Sequence, residues 1–277
     1  MPTAQELADG VRLLELRTPT LPPATATNTL VVGRRRLAVL EPATPYAEER
    51  ADLDGLVDAL AGEGGEVVAI LLTHHHVDHI GYAEELRART GAPIFGHAQT
   101  AARLGFAVDV ELSDGAEVEL DAGFSLAALH TPGHAPGHLV YCERRSGVMY
   151  AGDMVAGIGT ILIDPEDGGD MAAYLHSLDR MAAAGPSLLV PAHGPVLRDP
   201  EGCVRRYKAH RQMREDRVLA AIGEEPRDLS EVLAAAYADT PQELWWLASR
   251  SLAAHLFKLE AEGRVYRQGA AVGRRRA

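Results

Sequence analysis

One short segment of the chain carries most of the side chains that could bind a metal ion. Residues 73–79 read Thr-His-His-His-Val-Asp-His and directly follow the apolar run 67–72, which predicts a strand that ends in this segment. Neutral imidazole and carboxylate are the usual protein ligands of Zn²⁺, and alternation along an extended backbone places His74 and His76 on the same side. The cluster is internal and interrupted, unlike a purification tag, so we interpret it as a metal site.

Three later segments each place a His or an Asp in a loop marked by Gly or Pro. They are His-Thr-Pro-Gly-His at 130–134, Tyr-Ala-Gly-Asp at 150–153 and Pro-Ala-His-Gly-Pro at 191–195. Each follows an apolar stretch that predicts a short strand, and loops after strands commonly present catalytic groups. Taken singly, each segment is equally typical of an ordinary turn. The prediction of a metal site therefore depends on all four segments together.

The ordered set of motifs resembles that of the metallo-β-lactamase fold superfamily of metallohydrolases, over residues 28–197. The pattern is His-x-His-x-Asp-His at 74–79, a distant His after Thr-Pro-Gly, a Gly-Asp and a final His-Gly. The resemblance implies an α/β fold, an αββα sandwich. Carried over residue by residue, it also implies a first zinc ion bound by His74, His76 and His134, a second bound by Asp78, His79 and His193, and Asp153 as the bridge between them.

The implied chemistry is hydrolysis. Water bound to Zn²⁺ has a pKa of about 7, so a metal-bound hydroxide can attack a carbonyl or phosphoryl group without a side-chain nucleophile. Asp78 and Asp153 supply negative charge between the cations and are the candidate catalytic residues. The same donors also accommodate Fe or Mn. The remaining histidines of these segments, His75, His130 and His138, lie outside the ligand positions, and we expect them to have structural or orienting roles.

The elements predicted around these motifs alternate between strands and helices, which is typical of an α/β architecture. Strand-like pieces at 11–16, 28–32 and 37–40 precede a helix at 46–60, the strand into the metal segment and a helix from about 78 to 90. Apolar spacing predicts another helix at 170–183. The glycine-containing stretch 154–169 is either a lid over the substrate cleft or a plain connector.

The composition becomes helical and charged near residue 200, so we predict a catalytic domain at 1–200 and a small helical domain at 201–277. Leu252, Leu256 and Leu259 have the spacing of a core-facing helix stripe. Three predicted helices and a short strand resemble a winged helix. Residues 209–215 and 255–263 are similar to the tail of the β-lactamase-like endoribonuclease subfamily, and that resemblance implies single-stranded RNA as the substrate.

The charge of the chain leaves the substrate open. A formal net charge of −12 disfavours a broad phosphate-binding surface. Basic residues nevertheless crowd the first C-terminal helix, and they predict either a local RNA-binding patch or a solvated face paired with Glu215 and Asp216. These residues are Arg205, Arg206, Lys208, Arg211, Arg214 and Arg217. A second basic group is the run Arg274, Arg275 and Arg276.

Two other functions compete with RNA cleavage. Glyoxalase-II-like thioester hydrolases share the ligand set and the pair Gly137-His138, so an ester, thioester or lactone of a small metabolite is the alternative substrate. A non-catalytic binding module is disfavoured because every ligand position is filled. The first residues lack a basic start with an apolar core, and no apolar run approaches about 18 residues, so we expect a cytoplasmic protein with no membrane partner.

Overall fold

Two β-sheets organise the first part of the chain in the computed structural model, which describes residues 4–121 and 123–275. The first sheet has seven strands in chain order, antiparallel from β1 to β4 and parallel from β4 to β7. They are β1 Gln5–Ala8, β2 Val11–Arg17, β3 Ala26–Val32, β4 Arg36–Leu40, β5 Glu66–Leu71, β6 Ile94–Gly96 and β7 Val110–Glu111.

The second sheet has five strands in the order β12-β11-β10-β9-β8. Only the pair β11 and β12 is parallel. The strands are β8 Glu117–Glu119, β9 Ser125–His130, β10 Leu139–Glu143, β11 Val148–Gly152 and β12 Leu188–Pro191.

Alternation along the strands of the first sheet builds two apolar cores. In β4, Ala38 and Leu40 pack with residues of the second sheet, whereas Leu37 and Val39 pack on the opposite face. That opposite face is covered by helices α1 Ala47–Gly62 and α3 Ala83–Thr90. Each fully buried Leu or Val contributes about 1.5–3 kcal/mol relative to an exposed one, so the two cores fix the sheet between them.

The helix predicted from about 78 to 90 is two helices, because the loop after β4 takes the backbone hydrogen bonds at their junction. The chain forms α2 Val77–Ile80 and then α3, and α4 Ala98–Ala101 follows β6. The Gly81 N–H donates to the Ala43 carbonyl (3.2 Å) and the Tyr82 N–H to the Pro42 carbonyl (2.8 Å). A Cβ at Gly81 would lie 2.6 Å from the Ala43 carbonyl oxygen, so only glycine fits this approach.

The remaining elements form a second compact unit that is not continuous in sequence. It comprises Pro132–Pro136, Leu162–Asp179 and Gly202–Ala277, and the first unit comprises the other residues. The last of these segments begins at Gly202, and the two earlier segments lie within the range 1–200 that we predicted as one catalytic domain. Among the described helices, none is long and apolar enough to cross a bilayer.

The second unit has the elements of a winged helix. Its core buries the predicted stripe Leu252, Leu256 and Leu259. The wing is a three-stranded sheet in the order β13-β15-β14 rather than the one strand predicted, and Arg276 lies outside the described residues. The helices are α5 Met171–Ala183 and α6 Pro200–Ala221, of which residues 180–183 and 200–201 count with the first unit, α7 Leu229–Ala236 and α8 Trp245–Ala261. The strands are β13 Arg227–Asp228, β14 Val265–Gln268 and β15 Ala271–Arg274.

Candidate metal centre

The histidine segment begins where the parallel strands β4 and β5 end side by side. Leu40 pairs with Leu71 at these ends, and the Glu41 N–H donates to the Leu71 carbonyl (3.0 Å). The Glu41 carboxylate then accepts from the Thr73 N–H through Oε1 (2.6 Å). Because carboxyl ends of parallel strands meet at one edge of a sheet, the acid after β4 and the histidines after β5 share that edge.

The predicted same-side placement of His74 and His76 is present. His74 Nε2 lies 2.8 Å from His76 Nδ1, so the two rings turn toward one point. The Thr73 hydroxyl lies 2.9 Å from His74 Nδ1 and holds that ring from behind. The backbone is extended at His76 (φ −67°, ψ 148°) and becomes helical at Val77, which places the next donors in the first turn of α2.

Asp78, His79 and His193 form a second group of donors, whose ligand atoms lie within 4.8 Å of one another. His79 Nε2 is 3.8 Å from Asp78 Oδ1, and His193 Nε2 is 3.5 Å from Asp78 Oδ2. His193 follows β12 and donates from Nδ1 to the Ala26 carbonyl (2.9 Å), which leaves Nε2 directed at the group.

Asp153 faces both histidines of this second group. It follows β11, and its carboxylate oxygens lie 3.7 Å from His79 Nε2 and 3.4 Å from His193 Nε2. Its N–H donates to Nε2 of the buried His138 (3.1 Å). With Nε2 accepting, His138 carries its proton on Nδ1, 2.9 Å from the Thr131 hydroxyl. His138 thereby fixes the peptide that presents Asp153, in line with the orienting role expected of it.

Glycine is required before Asp153 for two reasons. Gly152 has a positive φ of +50°, and a Cβ there would lie 2.6 Å from His138 Nε2. A larger residue would strain the backbone and push His138 away from the Asp153 peptide. The Gly-Asp pair in the sequence motif is therefore a consequence of this contact.

The seventh predicted ligand, His134, belongs to the second unit. Its side chain is buried, and Nδ1 donates to the Leu162 carbonyl (2.8 Å). This bond leaves Nε2 as the nitrogen that can bind a metal ion. The first unit brings together the other six predicted ligands.

Sequence reasoning missed Glu41. Its side chain is fully buried, and it accepts a short hydrogen bond from Nδ1 of the equally buried His79. It is also the only residue other than glycine with a positive φ (54°) among the described residues. The available signal was that Glu41, a charged residue, directly follows the apolar run 37–40, because a carboxylate buried at the end of a strand needs a partner. That partner is 38 residues away in sequence.

The site has the properties of a cation-binding site. His79 Nε2 is buried, and it has no hydrogen-bond partner in the part of the chain that the structure describes. Burial lowers the pKa of His79, but Glu41, Asp78 and Asp153 outweigh burial and raise that pKa well above its ordinary value. Three carboxylates that attract a proton to this ring also attract a metal cation. The nitrogen and carboxylate donors suit Zn²⁺, and they also suit Fe or Mn.

Three basic side chains of α6 pair with carboxylates of the second unit. Lys208 contacts Asp179 (2.5 Å), Arg214 contacts Asp239 (2.8 Å), and Arg217 also pairs with Asp239. Both acids, Asp179 and Asp239, lie outside α6, on segments whose proximity the sequence did not indicate.

The partners predicted for these arginines, Glu215 and Asp216, bond to other groups. Glu215 binds Lys258 of α8 (2.7 Å) and Arg264 (2.7 Å), and Asp216 accepts from Gln212. Burial raises the pKa of Glu215, but the nearby His255 (3.9 Å) and the bonds with Lys258 and Arg264 hold that pKa at about 2. Glu215 therefore joins α6 to α8 and to the start of the wing, and does not neutralise its own helix.

Comparisons with known proteins agree with the geometry. The sequence profile of the metallo-beta-lactamase superfamily matches residues 22–193, and that of the beta-lactamase associated winged helix domain matches residues 229–274. A metallo-beta-lactamase family protein of Thermus thermophilus has a similar structure, with a TM-score of 0.80, 26% identity, and coverage of 98% of this chain and 100% of that one.

Two curated relatives differ in how much of the chain they match. The beta-lactamase-like protein 2 homolog of Drosophila melanogaster is 30% identical over 222 residues, which is 76% of this chain and 74% of that protein. The hydroxyacylglutathione hydrolase of Acidiphilium cryptum is 37% identical over 144 residues, which is 50% of this chain and 55% of that protein. The second likeness thus concerns only about half of each chain.

Proposed function

The chain belongs to the metallo-beta-lactamase superfamily and is a hydrolytic enzyme, and from that premise we propose that it works with two zinc ions. Bound zinc supplies a water of pKa about 7 and polarises the bond to be broken. The ligands we propose are those of the family pattern: His74, His76 and His134 for one ion, Asp78, His79 and His193 for the other, and Asp153 for both.

The chain's own residues orient these ligands and the attacking water. Glu41 holds the Nδ1 proton of His79 and so keeps Nε2 as the ligand atom. The Ala26 carbonyl does the same for His193. Asp78 and Asp153 would accept hydrogen bonds from the attacking water, and their negative charge would reduce the repulsion between two bound cations.

The observation that carries this proposal is the surroundings of His79. The buried imidazole of His79 is bonded through Nδ1 to the Glu41 carboxylate. Its Nε2 faces Asp78, Asp153 and His193 and has no hydrogen-bond partner in residues 4–121 and 123–275. An orphaned buried polar atom is costly unless a ligand satisfies it. A metal ion at this point would satisfy it and use the surrounding negative charge.

We place a small ester or thioester first among candidate substrates. A net charge of −12 disfavours phosphate polymers, and Lys208, Arg214 and Arg217 are already paired with carboxylates. The likeness to a hydroxyacylglutathione hydrolase supports an acyl thioester. A lactone is chemically close and belongs to the same group.

Single-stranded RNA is the second candidate. The winged-helix match favours it, because that match includes α7 and α8, in the part of the chain whose resemblance to the endoribonuclease subfamily implies RNA. Arg205 and Arg206 are exposed on α6 and are the residues we assign to RNA contact in this case.

The test is metal-dependent turnover of the purified protein, at fixed low salt, on acyl thioesters, esters, lactones and a labelled single-stranded RNA in parallel. His76→Ala is the control for contaminating hydrolases and should lose both metal and turnover. Thioester turnover that disappears in this variant supports the first candidate. The second candidate is supported if RNA cleavage disappears in His76→Ala. The double variant Arg205→Ala/Arg206→Ala should then cleave RNA more slowly while its thioester turnover stays unchanged. Full turnover by His76→Ala on every substrate contradicts the proposed centre.

A further inference from the structure

The loop that carries His134 is anchored at two points to the segment just before α5. His134 Nδ1 donates to the Leu162 carbonyl (2.8 Å), and the Asp170 N–H donates to the Gly133 carbonyl (2.8 Å). The two anchors lie eight residues apart in sequence, at the two ends of one short stretch. The orientation of the imidazole therefore depends on how that stretch is held.

Helix α5 confines the same loop from the other side. The Ser177 hydroxyl donates to the Pro132 carbonyl (2.7 Å). A Cβ at Gly133 would lie 2.3 Å from Cα of the buried Tyr174, so the loop backbone lies directly against the helix. The loop has little freedom to move unless the stretch 162–170 moves with it.

Asp164 organises the stretch between the two anchors. Its carboxylate accepts from the Glu166 N–H (3.1 Å), and its carbonyl accepts from the N–H groups of Asp167 (3.1 Å) and Gly169 (2.8 Å). A Cβ at Gly169 would lie 2.6 Å from the Asp164 nitrogen, so the turn closes tightly on this residue. The side chain of Asp164 is only 11% exposed, and it needs a partner for its second oxygen.

That partner comes from the winged helix. Arg250 of α8 donates from Nη1 to Asp164 Oδ2 at 2.5 Å, across 86 residues of sequence. Its neighbour Leu252 is buried in the core of the helical domain, so the backbone that carries Arg250 is fixed by that core. A charged hydrogen bond to a largely buried carboxylate is stronger than a surface ion pair.

We propose that the winged helix positions the metal ligand His134, with Arg250 and Asp164 as positioning residues. Arg250 fixes Asp164, Asp164 fixes the turn, and the two ends of the turn fix the His134 loop. The inference rests on the proposed function, because it takes His134 as a ligand. The C-terminal domain then has a structural role that does not require nucleic acid. Residues 162–169 are then an anchored connector rather than a lid.

The experiment measures zinc affinity of the full chain by competition with a chromophoric chelator, and zinc stoichiometry by mass spectrometry. Arg250→Ala and Asp164→Asn should each weaken one of the two ions about tenfold, the lower end of the range for groups that orient a ligand. The double variant should be no worse than either single change, and Arg250→Lys should recover part of the affinity. The matched control is Arg267→Ala, which removes an ion pair with Glu260 (2.6 Å) in the same domain and should leave zinc affinity unchanged.

The outcomes separate this inference from the proposed function. Wild-type affinity for both ions in Arg250→Ala and Asp164→Asn, or additive losses in the double variant, would overturn the inference alone, provided that His134→Ala loses an ion. Retention of both ions by His134→Ala would remove the ligand assignment and this inference with it. A wild-type chain that binds neither zinc nor Fe or Mn would overturn the proposed function itself. If Arg250→Ala does not fold, as judged by circular dichroism, Asp164→Asn and Arg250→Lys decide the result.

Discussion

The change Glu41→Gln tests whether the buried carboxylate sets the ligand atom of His79. The amide keeps the shape of the side chain, and its oxygen can still accept from the Thr73 N–H. In the wild type, His79 Nδ1 donates to Glu41. In the variant, the group that faces this nitrogen is itself an N–H donor. Either the hydrogen bond is lost, or His79 moves its proton to Nε2 and can no longer bind a metal.

Both side chains are fully buried, so water cannot replace the lost acceptor. An unsatisfied buried donor costs about 1–3 kcal/mol, and a factor of ten in affinity corresponds to about 1.4 kcal/mol. We therefore expect the second zinc ion to bind about 10- to 100-fold more weakly, in agreement with the usual effect of groups that orient a metal-binding histidine. The first ion should change much less, because Glu41 does not bond to His74 or His76.

The assay is zinc titration against a competing chelator, with the number of bound ions counted after dialysis. Glu143→Gln is the matched control, because Glu143 is also buried but bonds to Arg145 and Ser146 at the end of β10. This control should bind both ions as the wild type does. Two ions bound with wild-type affinity by Glu41→Gln would refute the reasoning.

Three further predictions concern the loop after β11, the metal and the C-terminal helices. Gly152→Ala should lower both the zinc affinity and the midpoint of thermal unfolding, because its Cβ would lie 2.6 Å from His138 Nε2. The control Gly62→Ala should lower neither, because no atom lies within 4 Å of a Cβ at that position. Equal effects of the two changes in calorimetry would contradict the steric explanation. Zinc at about 100 times its Kd should stabilise the native protein by about 2.7 kcal/mol in denaturant titrations, and a midpoint that does not respond to zinc would count against a native-state site. The lowered pKa of Glu215, about 2 against an ordinary 4.5, stabilises the fold fully above pH 4.5 and progressively less toward pH 2. Glu215→Gln should therefore be less stable at pH 7 and vary less with pH across that window, and an unchanged pH dependence of unfolding would exclude this role.

The sequence predicted the strands that precede the proposed metal ligands because their signal is local. The apolar runs ending before His74, Asp153 and His193 correspond to β5, β11 and β12, and a polar side chain follows shortly after each run. Short strands such as β6 and β7 have too few residues for a periodic pattern. The break between α2 and α3 was missed because it depends on the carbonyl of Ala43, far from that helix in sequence.

The partners of charged side chains were the least predictable part of the site. Glu41 and His79 are far apart in sequence, and so are Asp164 and Arg250. Helical spacing near Arg214 pointed to neighbouring acids, but the acid that it binds is Asp239, beyond the next helix. Spacing rules describe one element at a time, whereas these pairs are set by which elements pack together.

The discontinuity of the second unit also has a consequence for how the protein is made. The ribosome releases residues 132–136 and 162–179 well before α8. Asp164 can pair with Arg250 only after 86 further residues have been synthesised. At about 5–20 residues per second this delay is roughly 4–17 s. During that time Met171, Tyr174 and Leu178, which are buried in the finished protein, lack the helices that complete their unit. The first unit can assemble its sheets in this interval, before the C-terminal helices that share a unit with residues 162–179 have been made.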